Sequence, residues 1–220
     1  MKEHPILFSA PMVNAIRGGF KKQTRRIIKG IVDYDYEPAS EIQESYDVQM
    51  YEVMKEKGHW FFLPPCEYQK GETLWIRENY RFGKGYDGVK PSEVPKQPHV
   101  KIFYEADAGI IEPKIPDGFG TLRPSIFLPR YFSRATLKVS ETKAERLHDI
   151  SENDAIAEGG IYHDGGGVGH SGWRHDINHG FVYPTARESF FALWAAINGK
   201  ESLDSNPWVY AISFDIKELK

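Results

Sequence analysis

The sequence IRGGFKKQTRRIIKG, residues 16–30, contains the change from helix to strand on which the predicted fold depends. A short helix is predicted before it, because Ser9 suits an N-cap and Gly18 and Gly19 end the apolar periodicity. The rest of the stretch has no helical period and follows a glycine break. We therefore expect an extended strand that runs to Gly30.

Basic side chains surround a single hydroxyl in this stretch. Thr24 lies among six of them, and the first acid downstream is Asp33. The whole chain has a net charge of −3, whereas a protein that coats nucleic acid needs a broad excess of cations. A function that uses these cations is therefore local. The six are Arg17, Lys21, Lys22, Arg25, Arg26 and Lys29.

Two helices near the C-terminal end have clear start signals. Ser151 with Asp154, and Thr185 with Glu188, have the spacing of a capping box. The first helix is expected to stop at Gly159, and the second at Asn198 and Gly199. The second is predicted to bury Phe190, Phe191, Trp194 and Ile197.

The remaining apolar segments predict strands. They lie at Leu74 to Tyr80, in HVKIFYEAD, in SRATLKVSETKAERL and in NPWVYAISFDI. This order predicts an α+β fold, a mostly antiparallel sheet or small β-barrel decorated by three or four helices, rather than alternating βαβ units. We expect a single domain over residues 1–220, with insertions at about 33–69 and 161–183.

Composition excludes several classes of site. Cys66 is the only cysteine, which rules out an internal disulfide framework and a multi-cysteine zinc site. No apolar run is long enough to cross a bilayer, so we expect a soluble, cytoplasmic protein with no membrane partner. The sequence gives no indication of oligomeric state.

A histidine-rich loop is the one candidate metal site. His163, His170, His175 and His179 lie near Asp164 and Asp176, and imidazole with carboxylate suits a transition metal. The same composition is typical of a solvated glycine-rich loop, which we favour. We therefore predict no metal and no cofactor.

Four segments together resemble the ASCH-domain family, in particular its longer phage and prophage type. Their wording and order agree with the family, and the resemblance extends over roughly residues 5–30, 70–80, 121–159 and 190–214. It implies a PUA-like β-barrel. The matching segments are ILFSAPMVNAIRGGFKKQTRRIIK, GETLWIREN, RPSIFLPRYFSRATLKVSETKAERLHDISENDAIAEG and FFALWAAINGKESLDSNPWVYAISF.

The resemblance also implies a function. The family is regarded as a module that binds RNA or nucleotides, and small bacterial members are amidohydrolases that remove the acetyl group from N4-acetylcytidine. Their G-[RK]-K-x-x-T-x-R stretch reads GFKKQTRR here, so Lys21, Thr24 and Arg26 match, and the family's glutamate falls on Glu158. The implied enzyme is a metal-independent amidohydrolase acting on N4-acetylcytidine or a related N4-acylated cytosine nucleoside.

The chemistry explains these residue types. A threonine hydroxyl becomes a nucleophile when a neighbouring base removes its proton, and a lysine is such a base only when neutral. Crowding among like charges lowers a lysine pKa. Lys21 is then the base, Thr24 the nucleophile, and Glu158 the group that positions the lysine and protonates the departing amine. In a straight strand, side-chain alternation instead places Lys22 on the same face as Thr24. Lys21 can then reach Thr24 only if the backbone bends after Gly19.

Further residues are expected to bind substrate. Glu78 lies near the end of the strand predicted from Leu74 to Tyr80, close to the expected pocket, and either contacts substrate or balances Arg25 and Arg26. The predicted substrate-binding residues are Lys22, Arg26, Glu78 and Trp75. Phe20 and Lys22 depart from the family pattern, in which a basic residue and a threonine are usual at these positions.

Two other functions stay open. In a non-catalytic module that binds RNA or a modified base, the same cations contact phosphates and Trp75 or Tyr80 contacts a base. A weaker alternative is a ribonuclease in which the lysine and the glutamate act on a 2′-hydroxyl. The expected partner is a modified cytidine nucleoside or base, with RNA as the alternative.

Overall fold

The computed structural model describes residues 2–34, 52–56, 59–108, 114–165, 170–175 and 181–220. Four α-helices lie in this part: α1 (Ala10–Arg17), α2 (Glu152–Ala157), α3 (Ala186–Asn198) and α4 (Lys200–Asp204). Six strands lie in the first part of the chain: β1 (Glu3–Leu7), β2 (Gln23–Ile27), β3 (Val32–Tyr34), β4 (Glu52–Glu56), β5 (His59–Leu63) and β6 (Thr73–Arg77). Six more follow: β7 (Tyr80–Phe82), β8 (Ile102–Tyr104), β9 (Ala135–Arg146), β10 (Ile161–His163), β11 (Gly172–Arg174) and β12 (Trp208–Leu219).

A five-stranded sheet forms the centre of the fold, in the order β1-β6-β9-β12-β2. Only β1 and β6 pair in parallel; the other neighbours are antiparallel. This confirms the predicted α+β class and the mostly antiparallel sheet. Within the described residues β1 and β2 are the two outer strands, and no ladder closes the sheet between them.

The main core lies between this sheet and α1. Val13 and Ile16 of α1 are fully buried, as are Leu74 of β6 and Ile212 of β12. Alternate residues of a strand face one side, so β6, β9 and β12 each contribute a row of apolar side chains. α1 therefore packs on the sheet immediately before the chain enters β2.

Three smaller sheets surround the central one: β3-β5-β4, β7-β8 and β10-β11. The expected strand from Leu74 to Tyr80 is divided into β6 and β7 by Glu78 and Asn79, and β7 begins a separate apolar cluster with β8. Part of the predicted insertion at 33–69 joins the main core, where Leu63 is buried.

The capping box predicted at Thr185 is confirmed and the one at Ser151 is confirmed in part, whereas Ser9 occupies the N-cap of α1 without a side-chain cap bond. The Ser151 side chain accepts a hydrogen bond from the Asp154 N–H at the start of α2, and Thr185 forms a reciprocal capping box with Glu188 at the start of α3. The burial prediction for Ile197 is wrong, since this side chain is 50% exposed. It lies on the same face of α3 as Phe190, but there the helix borders a cavity instead of the core.

None of the helices in the described part of the chain is long and apolar enough to cross a membrane. The longest of them, α3, has 13 residues, whereas a spanning helix needs about 20.

Candidate functional site

A bend between α1 and β2 brings the basic stretch to the end of α2. Gly19 has φ of 77°, a left-handed conformation that glycine adopts without strain. The Lys21 N–H then donates to the Ala15 carbonyl at 3.0 Å. Lys21 pairs with Glu158 in an isolated antiparallel bridge, and the Lys22 N–H donates to the last residue of α2 at 2.7 Å. The backbone therefore directs Lys21 inward, beside Glu158.

Lys21 and Glu158 form a buried ion pair. Their side chains are 1% and 4% exposed. The Lys21 Nζ donates to the Glu158 Oε2 at 2.6 Å and to the Glu158 backbone carbonyl at 2.8 Å. Burial lowers the pKa of Lys21 below its ordinary value, against the opposing attraction of the Glu158 carboxylate.

The cause of the lowered pKa differs from the one predicted. Desolvation makes the largest contribution, and the like charges of Arg26 and Arg25 contribute less. Lys22, which was expected to crowd Lys21, is exposed. The amine is therefore made less basic mainly by its removal from water.

Arg25 connects Glu158 to a second buried carboxylate, Glu145. The Arg25 Nη1 donates to the Glu158 Oε1 at 3.1 Å, while Nη2 and Nε donate to the Glu145 Oε1 at 2.6 and 3.0 Å. With Lys21, two cations and two carboxylates are buried together. Glu145 was missed by sequence reasoning, since one acid near the end of a long strand carries no distinguishing signal.

A cavity of about 370 Å³ opens beside this network. Thr24, Arg25 and Glu158 line its polar side. Thr24 is buried, and within the described part of the chain its hydroxyl has no side-chain or backbone hydrogen-bond partner. The apolar wall comes from α3 and consists of Phe190, Leu193, Trp194 and Ile197.

Lys21 lies behind this cavity. It lines a narrow cleft of about 20 Å³ together with Glu158, Gly159 and His175. Glu158 lines both the cleft and the larger cavity. The structure thus brings Lys21 to Glu158, and Glu158 to the cavity that Thr24 lines.

Of the two cations predicted to bind substrate, Arg26 lines the cavity and Lys22 does not. Arg26 is half-buried and lines the cavity; its Nη2 donates to the Leu7 carbonyl at 2.7 Å, and its guanidinium lies over the Phe8 ring. Lys22 points into solvent and lines neither the cavity nor the cleft. The alternation argument that favoured Lys22 fails because β2 begins only at Gln23, after the bend.

Glu78, Trp75 and Tyr80 lie away from the cavity. Both oxygens of the buried Glu78 accept hydrogen bonds from Arg134 at 2.8 Å, so its charge partner is Arg134 and not Arg25 or Arg26. Burial raises the pKa of Glu78, and Arg134 opposes this shift. Trp75 is buried with the Arg77 guanidinium 4.5 Å from its ring. Tyr80 is fully buried, so its expected contact with a base is wrong.

The histidine-rich loop contributes one buried imidazole. The His175 Nδ1 lies 2.8 Å from the Ser189 Oγ, and burial lowers the pKa of His175 to about 4. His163 and His170 are exposed, and the predicted His179 and Asp176 lie outside the described residues. No group of three potential ligands with metal-binding geometry occurs among the residues that the structure describes.

Comparisons of the chain with protein-family models, with curated proteins and with solved structures each found no match. The chemistry of the site follows from its own groups. Thr24 lines a cavity, Glu158 lines the same cavity, and the Glu158 carboxylate binds the Lys21 amine, whose pKa is lowered by burial. Glu158 therefore lies between the cavity that Thr24 lines and the buried amine of Lys21.

Proposed function

We propose that this protein is an amidohydrolase that removes the acyl group from N4-acetylcytidine or a related N4-acylated cytosine nucleoside. The proposal includes a PUA-like, ASCH-type arrangement of the five-stranded sheet. The observation that carries it is the buried Lys21–Glu158 pair next to the cavity that Thr24 lines. These are the three residues that the resemblance to acetylcytidine amidohydrolases indicates.

The first chemical step forms an acyl-enzyme. The Thr24 Oγ attacks the acyl carbon, its proton passes through the Glu158 carboxylate to the neutral amine of Lys21, and the carbonyl electron pair moves onto oxygen. Arg25 lines the cavity and supplies a cation for the resulting oxyanion. The lowered pKa of Lys21 favours this step because it increases the neutral fraction of the amine.

The second step releases cytidine and then the acid. The oxyanion collapses and the C–N bond breaks, while the proton held by Lys21 and Glu158 moves to the departing N4 nitrogen. Water then attacks the ester on Thr24, its proton passes through Glu158 to Lys21, and this proton returns by the same route to the Thr24 oxygen as the ester C–O bond breaks. The acid leaves and the Thr24 hydroxyl is restored, so one amide and one water become one amine and one acid.

The cavity suits a flat, partly apolar base. Its volume of about 370 Å³ lies within the range of roughly 300–1,000 Å³ that is usual for small-molecule sites. Phe190 and Trp194 offer aromatic surface, and Thr24 and Glu158 offer polar groups at one end. This distribution orients the ring along α3 and its amide towards Thr24.

One observation favours a second candidate, a module that binds a modified base without cleaving it. The Lys21 amine already makes two hydrogen bonds to Glu158, as it would in an ion pair whose only role is structural. In that case the cavity binds ligand and Thr24 contributes only a polar contact. Binding through several phosphates would weaken steeply with salt, whereas turnover of one nucleoside would not.

Incubation of the purified protein with a panel of N4-acylated cytidines tests the proposal. We expect cytidine release by the wild type, and none by Thr24→Ala or Glu158→Gln. Glutamine is preferred to alanine at 158 because two buried cations bind this side chain. Circular dichroism establishes that the variants are folded. Equal inertness of the wild type and both variants on the whole panel contradicts the proposal.

A further inference from the structure

A second cavity lies next to the first and is not used by the proposed reaction. Its volume is about 390 Å³. Three residues line both cavities: Arg26 and Ile27 of β2, and Lys29 just after it. The two cavities are therefore neighbours with one common wall, and that wall carries two cations.

Arg26 is the unusual member of this wall. Its guanidinium makes one hydrogen bond, to the Leu7 carbonyl, and packs over Phe8. Within the described part of the chain no carboxylate lies within 4.0 Å of it, whereas Arg25 and Arg134 each bind two or more acids at that distance. Glu158 attracts this guanidinium only from beyond that distance. A half-buried cation without a counter-ion in contact is stabilised when a ligand supplies the negative charge.

The charges of the lining residues indicate that an anionic ligand would bind at the common wall. Lys29, the second cation there, is exposed and has no carboxylate partner within the residues described. The lining of the second cavity also includes one acid, Glu67. An anion in this cavity is therefore attracted to Arg26 and Lys29 and repelled by Glu67.

The remainder of the second cavity suits a ring. Tyr68 and Tyr210 supply aromatic surface, and Pro64 and Pro65 supply flat apolar surface. Aromatic side chains stack on nucleobases with little dependence on sequence. The first cavity, with Thr24 at its polar end, is therefore followed by the two cations of the common wall and then by the second cavity with its aromatic side chains.

We propose that the preferred substrate is a phosphodiester-linked strand of at least two nucleotides, which the protein binds more tightly than a free nucleoside. The acylated base occupies the Thr24 cavity, Arg26 and Lys29 bind the adjacent phosphate, and the next nucleoside occupies the second cavity. The identity of the base in the first cavity rests on the proposed function. The second subsite rests only on the shared cationic wall and the aromatic lining.

Calorimetric titration of the Thr24→Val protein, in which the ligand stays intact, tests this inference. The ligands are N4-acetylcytidine, its 3′- and 5′-monophosphates, and dinucleotides that carry N4-acetylcytidine at either end. The phosphate is expected to tighten binding by about tenfold, since a hydrogen-bonded charge pair is formed. The second nucleoside is expected to tighten it by a further fivefold or more.

Three substitutions in the Thr24→Val background show which residue is responsible for each increase in affinity. Arg26→Gln removes the gain from the phosphate, and Tyr68→Leu removes only the gain from the second nucleoside. Arg81→Gln is the matched control, because Arg81 is also half-buried, also donates to a backbone carbonyl, and lines neither cavity. Lys29→Gln and Arg26→Lys keep the test valid if Arg26→Gln fails to fold; the first weakens the phosphate gain and the second largely preserves it.

The outcomes separate this inference from the proposed function. Equal affinity for nucleoside and dinucleotides overturns the inference, even if the wild type hydrolyses the nucleoside. Equal affinity for monophosphate and dinucleotide overturns the second subsite. Tight dinucleotide binding that depends on Arg26 and Tyr68, with no hydrolysis by the wild type, supports the subsite and overturns the amidohydrolase.

Discussion

At Lys21, two electrostatic effects act in opposite directions on one amine. Removal from water favours the neutral form, and the Glu158 carboxylate at 2.6 Å favours the charged form. Arg25 also binds Glu158 and shares its negative charge, so the carboxylate compensates Lys21 only in part. The result is a lysine with a pKa below its ordinary value, which is the property that a base near neutral pH requires.

The lowered pKa of Lys21 predicts how stability changes with pH. Between its folded pKa and the unfolded value of about 10.4, the unfolded chain binds more protons than the folded chain, so the free energy of unfolding rises with pH. Urea denaturation from pH 7 to 10 should show this rise in the wild type and a smaller one in Lys21→Met. Lys22→Met, an exposed neighbour, should behave as the wild type. Identical slopes in the wild type and Lys21→Met would contradict the assignment.

His175 predicts a second, acidic dependence. Its pKa is lowered to about 4 by burial, so the unfolded chain takes up a proton near pH 6.5 and the folded chain does not. The free energy of unfolding should therefore fall by about 3 kcal/mol between pH 6.5 and 4. The loss should be absent in His175→Gln and present in His99→Gln, an exposed control. A wild-type curve that is flat over this window would exclude a neutral buried imidazole.

At the scale of elements, α3 connects helix capping to the site. Its first turn is fixed by the Thr185 and Glu188 capping box, and its middle turns supply the apolar wall of the Thr24 cavity. Because the cap is local in sequence, it was predictable from residue spacing. The exposure of Ile197 was not predictable, since helical periodicity identifies a face but not whether that face meets the core or a cavity.

Loss of the α3 cap should destabilise the fold measurably. Thr185→Ala removes the hydroxyl that accepts the Glu188 N–H bond at 3.1 Å, and we expect a loss of about 1 kcal/mol in the free energy of unfolding. Ser9→Ala is the matched control, because Ser9 occupies the N-cap of α1 without a side-chain cap bond. Chemical denaturation measures both. Equal losses in the two variants would show that the α3 cap bond contributes nothing.

The bend after Gly19 also belongs to this scale. Strand alternation alone paired Lys22 with Thr24, whereas the backbone bonds of Lys21 and Lys22 to α1 and α2 place Lys21 inside. These bonds join residues that are distant in the chain. The choice between the two lysines therefore depended on tertiary contacts that no local pattern contains, and only the family resemblance favoured Lys21.

Across the whole molecule, a chain of charges joins the two apolar clusters on either side of Glu78. Arg134 binds Glu78 and Asp107, and Asp107 also binds Arg17 of α1. Glu78 was expected at the substrate site because its strand was expected to end there. The sequence does not reveal that β7 packs in a separate apolar cluster, or that Glu78, just before it, pairs with Arg134.

Arg134→Gln tests this structural role. It leaves the buried Glu78 without its cation, and we expect the free energy of unfolding to fall by about 3 kcal/mol or more. Arg130→Gln, which breaks a more exposed pair with Glu3, should cost less than about 1 kcal/mol. Both variants should hydrolyse substrate at the wild-type rate at a temperature where they are folded. Loss of activity in folded Arg134→Gln would contradict a purely structural role and would indicate that Glu78 contributes to the functional site.

The parts of the site that depend on local sequence motifs could be predicted, whereas those formed by residues far apart in the chain could not. Lys21, Thr24 and Glu158 were predicted together only from a resemblance of a short motif and a capped helix to a known family, and the structure brings Lys21 to Glu158 and Glu158 to the cavity that Thr24 lines. The Arg25–Glu145 pair depends on how β2 and β9 flank β12, and the second cavity depends on residues 64–68, which the sequence suggested were part of an insertion. Both arise from long-range packing.

Acetate release from N4-acetylcytidine by Thr24→Val and Thr24→Ser tests the central claim most directly. Valine keeps the shape of the buried side chain and removes the hydroxyl, whereas serine keeps a hydroxyl. A threonine nucleophile predicts that Thr24→Val releases no acetate above the uncatalysed rate, while the wild type is active and Thr24→Ser keeps part of its activity. Wild-type rates in Thr24→Val would contradict the claim, as would a wild type that releases no acetate from any acylated cytidine or dinucleotide.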